Sequence, residues 1–149
     1  AIAKALEVNT SIVELEMGHC KIDCGGAKSL ARALENSALK CLKVNGNEEM
    51  GVEGLAEIAM ALKKNTSLEE VDFGSCGIDD DFAKKMAMVL DENHATALRK
   101  IMLRGGTITE AGADLLVQAL NVSNNKTVKI IAITMSNVPR SLGTRIQIH

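Results

Sequence analysis

His19, Cys20 and Cys24 are the closest this chain comes to a metal-ligand cluster, since imidazole and thiolate are the donors that zinc selects. A closed site needs a fourth donor. No second pair of closely spaced cysteines follows, and the other histidines, His94 and His149, stand far along the chain. Cys20 reads as a packing residue, and no metal is expected. Cys41 reads as a surface thiol that could oxidise or cross-link, yet no general base or helix start stands beside it to favour the thiolate. No nucleophile, base and orienting group assemble, no Gly-x4-Gly-Lys-Ser/Thr loop is present, and Gly105-Gly106 reads as a turn. The expectation is a non-catalytic chain without a cofactor.

Composition narrows the partners. The 149 residues carry 46% hydrophobic and 24% charged side chains with a formal net charge of -2, which suits one globular domain. That charge invites neither nucleic acid nor an anionic membrane. Trp and Tyr are absent and Phe occurs only at Phe73 and Phe82, so base-stacking platforms are nearly excluded. No apolar run approaches the roughly 20 residues of a membrane span. The partner expected is another protein, gripped by charge and aliphatic contact.

The elements that position these residues repeat. From Ile12 to Leu34, Ile12, Leu15 and Met17 alternate as in a strand, and Ala27, Leu30, Ala31 and Leu34 then recur at helical spacing. The strand triplet returns as Leu39/Leu42/Val44, Leu68/Val71/Phe73, Leu98/Ile101/Leu103 and Val128/Ile131/Ile133, at spacings of 27, 29, 30 and 30 residues. Helical faces follow as Leu55/Ile58/Ala59/Leu62, Ala83/Met86/Ala87/Leu90 and Ala113/Leu116/Val117/Leu120. A strand–turn–helix unit cannot bury its apolar side alone, so the units must stack. Three residues past each strand stands Cys20, Asn47, Cys76, Gly106 or Ser136, where a buried Asn or Cys can satisfy backbone groups. Cys20 and Cys76 share that repeat position, which argues for packing, a reducing compartment and a cytoplasmic location.

Local signals agree. Ala1 to Leu6 reads as the end of a helix, so the sequence begins inside a repeat. Asp79 to Asp81 and Thr109 are placed to cap the helices that follow them. Asn9, Asn36, Asn65 and Asn93 follow helix ends, where a left-handed stop is expected. The second repeat has an extra residue near Glu48 to Gly51, which predicts a bulged turn and leaves Met50 and Val52 as alternatives for the place of Ile22. The sequons at Asn9, Asn65, Asn121 and Asn125 fall in such loops and read as structural. Residues 1–138 read as the solenoid. Residues 139–149, after Pro139, read as a tail, a capping strand or the start of a further repeat, with Ile146 and Ile148 as a strip for covering an apolar end.

The pattern Leu-x-x-Leu-x-Leu-x-x-Cys-x-Ile, then Gly-x-x-x-Leu-Ala-x-Ala-Leu, resembles the ribonuclease-inhibitor-like subfamily of leucine-rich repeats. Cys20-Lys21-Ile22 with Gly26, Leu30, Ala31 and Leu34, and Cys76-Gly77-Ile78 with Leu90, carry the resemblance. It implies an α/β leucine-rich-repeat solenoid: a right-handed βα superhelix, about five parallel strands on the concave face and helices on the convex face. It also implies a protein-binding role, as in innate-immune sensors, Ran-type GTPase-activating proteins or tropomodulin-like actin caps. Residues between the buried strand positions then face the concave side in rows. These are Glu14, Cys41, Glu70, Lys100 and Ile130; Glu16, Lys43, Asp72, Met102 and Ala132; and Gly18, Asn45, Gly74, Arg104 and Thr134. Glu14, Glu16, Lys43, Glu70, Asp72, Lys100, Met102 and Arg104 are the candidate partner-binding residues: an acidic half, a basic edge and an apolar end. The expectation is a fragment of a larger intracellular sensor or scaffold.

Overall fold

A computed structural model describes residues 1–92, 97–122, 127–133 and 145–147. After helix α1 (Ile2–Val8), strand and helix alternate: β1 (Glu14–Glu16), α2 (Cys24–Leu34), β2 (Cys41–Lys43), α3 (Gly51–Leu62), β3 (Glu70–Asp72), α4 (Asp80–Glu92), β4 (Lys100–Leu103), α5 (Glu110–Val122) and β5 (Ile130–Ile133). These five strands pair in parallel and in chain order. Leu15, Leu42, Val71, Ile101 and Ile131 stand in one register row along the interior. Leu39, Leu68, Leu98 and Val128 make a second buried column, no member more than 2% exposed. Each such side chain contributes about 1.5–3 kcal/mol by leaving water, so short strands can be held by their columns. The helix faces meet the same core, except Val117, which is half-buried. No described helix is long and apolar enough to cross a membrane.

The turns after the strands carry the polar wiring. Asn47 is 1% exposed; its Nδ2 donates to the carbonyls of Met17 and Val44 at 2.8 and 2.7 Å, and its Oδ1 accepts from Ile22 N at 3.0 Å. One amide therefore stitches two repeats. Cys76 is buried and its thiol donates to Val44 O at 3.1 Å. At Gly106 a Cβ would overlap the Ile78 carbonyl, so that turn admits no side chain. The extra residue of the second repeat is absorbed by a 3-10 turn, Glu48–Met50, which drives Met50 fully inside while Val52 stays 39% exposed. Met50 thus fills the place of Ile22.

Three expectations need correction. Cys20 is exposed rather than core, because the described residues place no strand on the outer side of β1 to cover it as β2 covers Cys76. The helix-stop asparagines are not left-handed: Asn9 is extended, at φ -96° and ψ 120°, and neither Asn36 nor Asn65 has positive φ. Their amides act instead. Asn9 Oδ1 accepts from Ser11 N and Ile12 N, and Asn65 Oδ1 accepts from Ser67 N and Leu68 N, turning the chain into the next strand. Asp79 does cap α4, accepting from Phe82 N at 2.9 Å. The Thr109 hydroxyl, however, donates to Asp80 at 2.6 Å, so the carboxylate at the start of α5 comes from the preceding helix.

At the far edge, β6 (Arg145–Gln147) pairs antiparallel with β5, Ile131 opposite Ile146. It lengthens the sheet sideways rather than crossing over Met102, Ile130 and Ala132, and a further stacked repeat would have run parallel. The expectations for Asn93, His94, Asn125, Thr134, Ser136, Val138, Pro139, Ile148 and His149 lie outside the described residues.

Candidate functional site

On the sheet face away from the helices, register brings the predicted rows together. Glu14, Cys41, Glu70, Lys100 and Ile130 form one, and Glu16, Lys43, Asp72, Met102 and Ala132 the next. Opposite charges meet across neighbouring strands at three places. Lys43 on β2 reaches Glu14 at 3.2 Å and also Glu16, both on β1. Lys100 on β4 meets Glu70 on β3 at 2.8 Å, and Arg104 lies 3.7 Å from Asp72.

A third charged row escaped the sequence reading. Lys40, Glu69, Arg99 and Lys129 each stand immediately before a strand. Glu69 bridges Lys40 at 3.1 Å and Arg99 at 3.9 Å. Lys129 is exposed and makes no ion pair among the described residues. The signal that could have found this row is positional: each member directly follows the buried leucine or valine that opens its strand.

Two candidates have little surface to offer. Met102 and Asp72 are each only 7% exposed, because Arg104 lies across both, its guanidinium 3.4 Å from Met102 Sδ. Asp72 also accepts from Gly74 N at 2.8 Å. The aliphatic contact expected of Met102 is thus replaced by Arg104, which is itself 58% exposed. Glu14, Glu16, Lys43, Glu70, Lys100 and Arg104 remain on the surface.

Protonation follows the pairing. Hydrogen bonding to Lys43, and then to Cys41, holds the Glu14 carboxyl below its ordinary value. The same contacts to Glu16 and Glu14 hold Lys43 above its own. Burial, followed by the hydrogen bond with Glu14, pushes the Cys41 thiol up to about 11. At neutral pH it is a thiol and a poor nucleophile.

His19, Cys20 and Cys24 do not act together. His19 takes a left-handed turn at φ 56° and its ring lies over Gly46, which has no Cβ to displace it. The Cys20 thiol reaches the Gly18 carbonyl at 3.4 Å, whereas Cys24 lies 3.8 Å from Glu53. Ser75 and Gly105 repeat the His19 and Gly46 arrangement two strands on, Ser75 at φ 54° with its hydroxyl over Gly105.

Comparison with known proteins gives a consistent result. A family model described as "Leucine Rich repeat" matches residues 8–31, 35–59 and 64–87. The protein TORNADO 1 of Arabidopsis thaliana is 34% identical over 137 residues, covering 85% of this chain, while the chain spans 10% of that relative. The solved structure of leiomodin-1 actin-binding site 2 is similar with a TM-score of 0.78 at 14% identity, covering 90% of this chain and 78% of that one. That likeness speaks to the fold.

Proposed function

Since the chain is a leucine-rich-repeat protein, we propose that it is a non-catalytic docking module, part of a larger intracellular sensor or scaffold, whose partner is a protein held on the helix-free sheet face. The observation that carries this reading is the charge ladder over that face. Exposed pairs of this kind are worth only about 0.2–1 kcal/mol, so a partner can exchange its own charges for them at little cost. Lys100, Arg104 and Lys129 gather on the C-terminal strands, which suits an acidic segment entering from that side. Four free thiols agree with a reducing, cytoplasmic setting, and the Cys or Asn turn position with the ribonuclease-inhibitor-like subfamily.

The test is an interaction screen with the folded chain and with a Glu70→Lys, Lys100→Glu, Arg104→Glu variant. Direct partners should bind the variant at least about tenfold more weakly, with its melting temperature little changed. Partners that ignore all three reversals would overturn the site. Two alternatives have their own assays: GTP hydrolysis by Ran-type GTPases, and actin pointed-end elongation, the latter prompted by the leiomodin likeness. A clear acceleration or block there would replace the docking reading.

A further inference from the structure

The outward side of α4 reads Asp81, Lys84, Lys85, Met88, Asp91, Glu92, every member exposed. Two lysines stand four and three residues before Met88, and two carboxylates three and four residues after it. A half-turn about an axis through Met88, normal to the helix, lays each lysine on an acid. Exposed apolar side chains flank the centre of this face. Met88 is 55% exposed, with Met60 on α3 at 50% to one side and Leu115 on α5 at 37% to the other.

Local helix physics does not account for the arrangement. Carboxylates in the last turn oppose the helix dipole, and α4 has no basic residue there to offset Asp91 and Glu92. Glu92 pairs with Lys63, just past the end of α3, while Lys84, Lys85 and Asp91 make no ion pair among the described residues.

We propose that this face pairs with a second copy of the chain, α4 packed antiparallel on α4 about a twofold axis at Met88. Such an interface is isologous: the patch must complement itself, and this one does in charge. Lys84 and Lys85 of each copy meet Asp91 and Glu92 of the other. A twofold that reverses α4 leaves α3 facing α3 and α5 facing α5, so Met60 of one copy lies over the groove between α3 and α4 of the other, which is lined by Met60, Met88 and Val89 and holds about 160 Å3. Leu115 lies over the larger groove between α4 and α5, about 300 Å3, beside Met88, Gln118 and Ala119. Methionine adapts to such irregular grooves. The sheet faces point away from the contact, so dimerisation leaves the docking face of both copies open.

Sedimentation velocity of the 149-residue chain over rising concentration tests this. The expected result is a reversible monomer–dimer equilibrium that weakens as salt is added. Lys84→Glu with Lys85→Glu leaves acids on both sides of Met88, and Asp91→Lys with Glu92→Lys leaves lysines on both sides of it. Each double variant should self-associate about tenfold or more weakly, and an equimolar mixture should restore the dimer as a heterodimer. Met88→Gln, which keeps the volume and leaves the charges alone, should weaken association as well; it serves as the second readout if a reversal variant fails to fold. A chain that stays monomeric at every concentration, or a dimer indifferent to both reversals, overturns the proposal. So does a mixture that fails to recover.

Discussion

Asp80 at the start of α4 holds Thr109 at the start of α5 with both carboxylate oxygens, Oδ1 accepting from the backbone N–H at 2.8 Å and Oδ2 from the hydroxyl at 2.6 Å. One repeat thereby supplies the anionic cap of the next. Such a contact is available only when two units stack in the right register, so it reports on assembly rather than on either helix alone.

Asp80→Asn should lower stability by about 1 kcal/mol, in the range of a lost helix cap. Hydrogen bonding to Thr109 depresses the Asp80 carboxyl below its ordinary value of 3.8. A depressed carboxyl stabilises the fold above that value and ceases to do so as pH falls through the lowered one. Urea titrations between neutral pH and pH 2 should therefore show a shallower acid loss in the variant than in the parent. Parallel curves would show that Asp80 has no linkage to folding.

Asn47→Ala removes two buried hydrogen bonds and one partly buried one, and strands the Met17 and Val44 carbonyls and the Ile22 N–H. With about 1–3 kcal/mol for each group left unsatisfied, less what water recovers, a loss of about 3 kcal/mol is expected by thermal or chemical melting. A loss below about 1 kcal/mol would mean that the turn rewires itself.

Phe73 and Phe82 meet edge to face, ring centroids 5.3 Å apart and 71° between planes, both fully buried. Phe73→Ala should cost about 3–5 kcal/mol through the cavity it leaves. By contrast, Glu70→Lys on the exposed face should shift stability by about 0.5 kcal/mol or less. The two denaturation midpoints, measured side by side, separate core from docking surface.

Thiol labelling should rank the cysteines by environment. At pH 7.5 Cys20, exposed, should react with iodoacetamide first, Cys41 much more slowly because burial holds its pKa at about 11, and buried Cys76 only on unfolding. Mass-resolved time courses give the order. Cys41 reacting as fast as Cys20 would contradict its placement between Glu14 and Glu70.

The columns were legible in the sequence because alternation in a strand and the 3.6-residue helical period each assign a side to every apolar residue, and stacking adds no choice. Leu39, Leu68 and Leu98 fall where their spacing puts them. What sequence left open depended on neighbours in space. Whether Met50 or Val52 turned inward was decided by the 3-10 turn. Asn9 and Asn65 keep ordinary backbone and spend their amides, which residue type alone does not distinguish. Cys20 shares a repeat position with Cys76 yet lacks the adjoining strand that buries it. The rows of the candidate face were legible for the same periodic reason, but the burial of Met102 was not. It follows from Arg104 folding across it, a choice of side-chain direction. The Lys40, Glu69, Arg99 and Lys129 row stands one residue before each strand begins, outside the alternate strand positions that define the other rows.

The turns where His19 and Ser75 lie over Gly46 and Gly105 bear on how such an array can grow by gene duplication. Losing one unit would set the Cβ of Ser75 where the His19 imidazole now rests and force that ring to swing aside, whereas losing two would bring His19 onto Gly105, again a bare glycine. Unequal crossing-over should therefore be tolerated more readily in even steps.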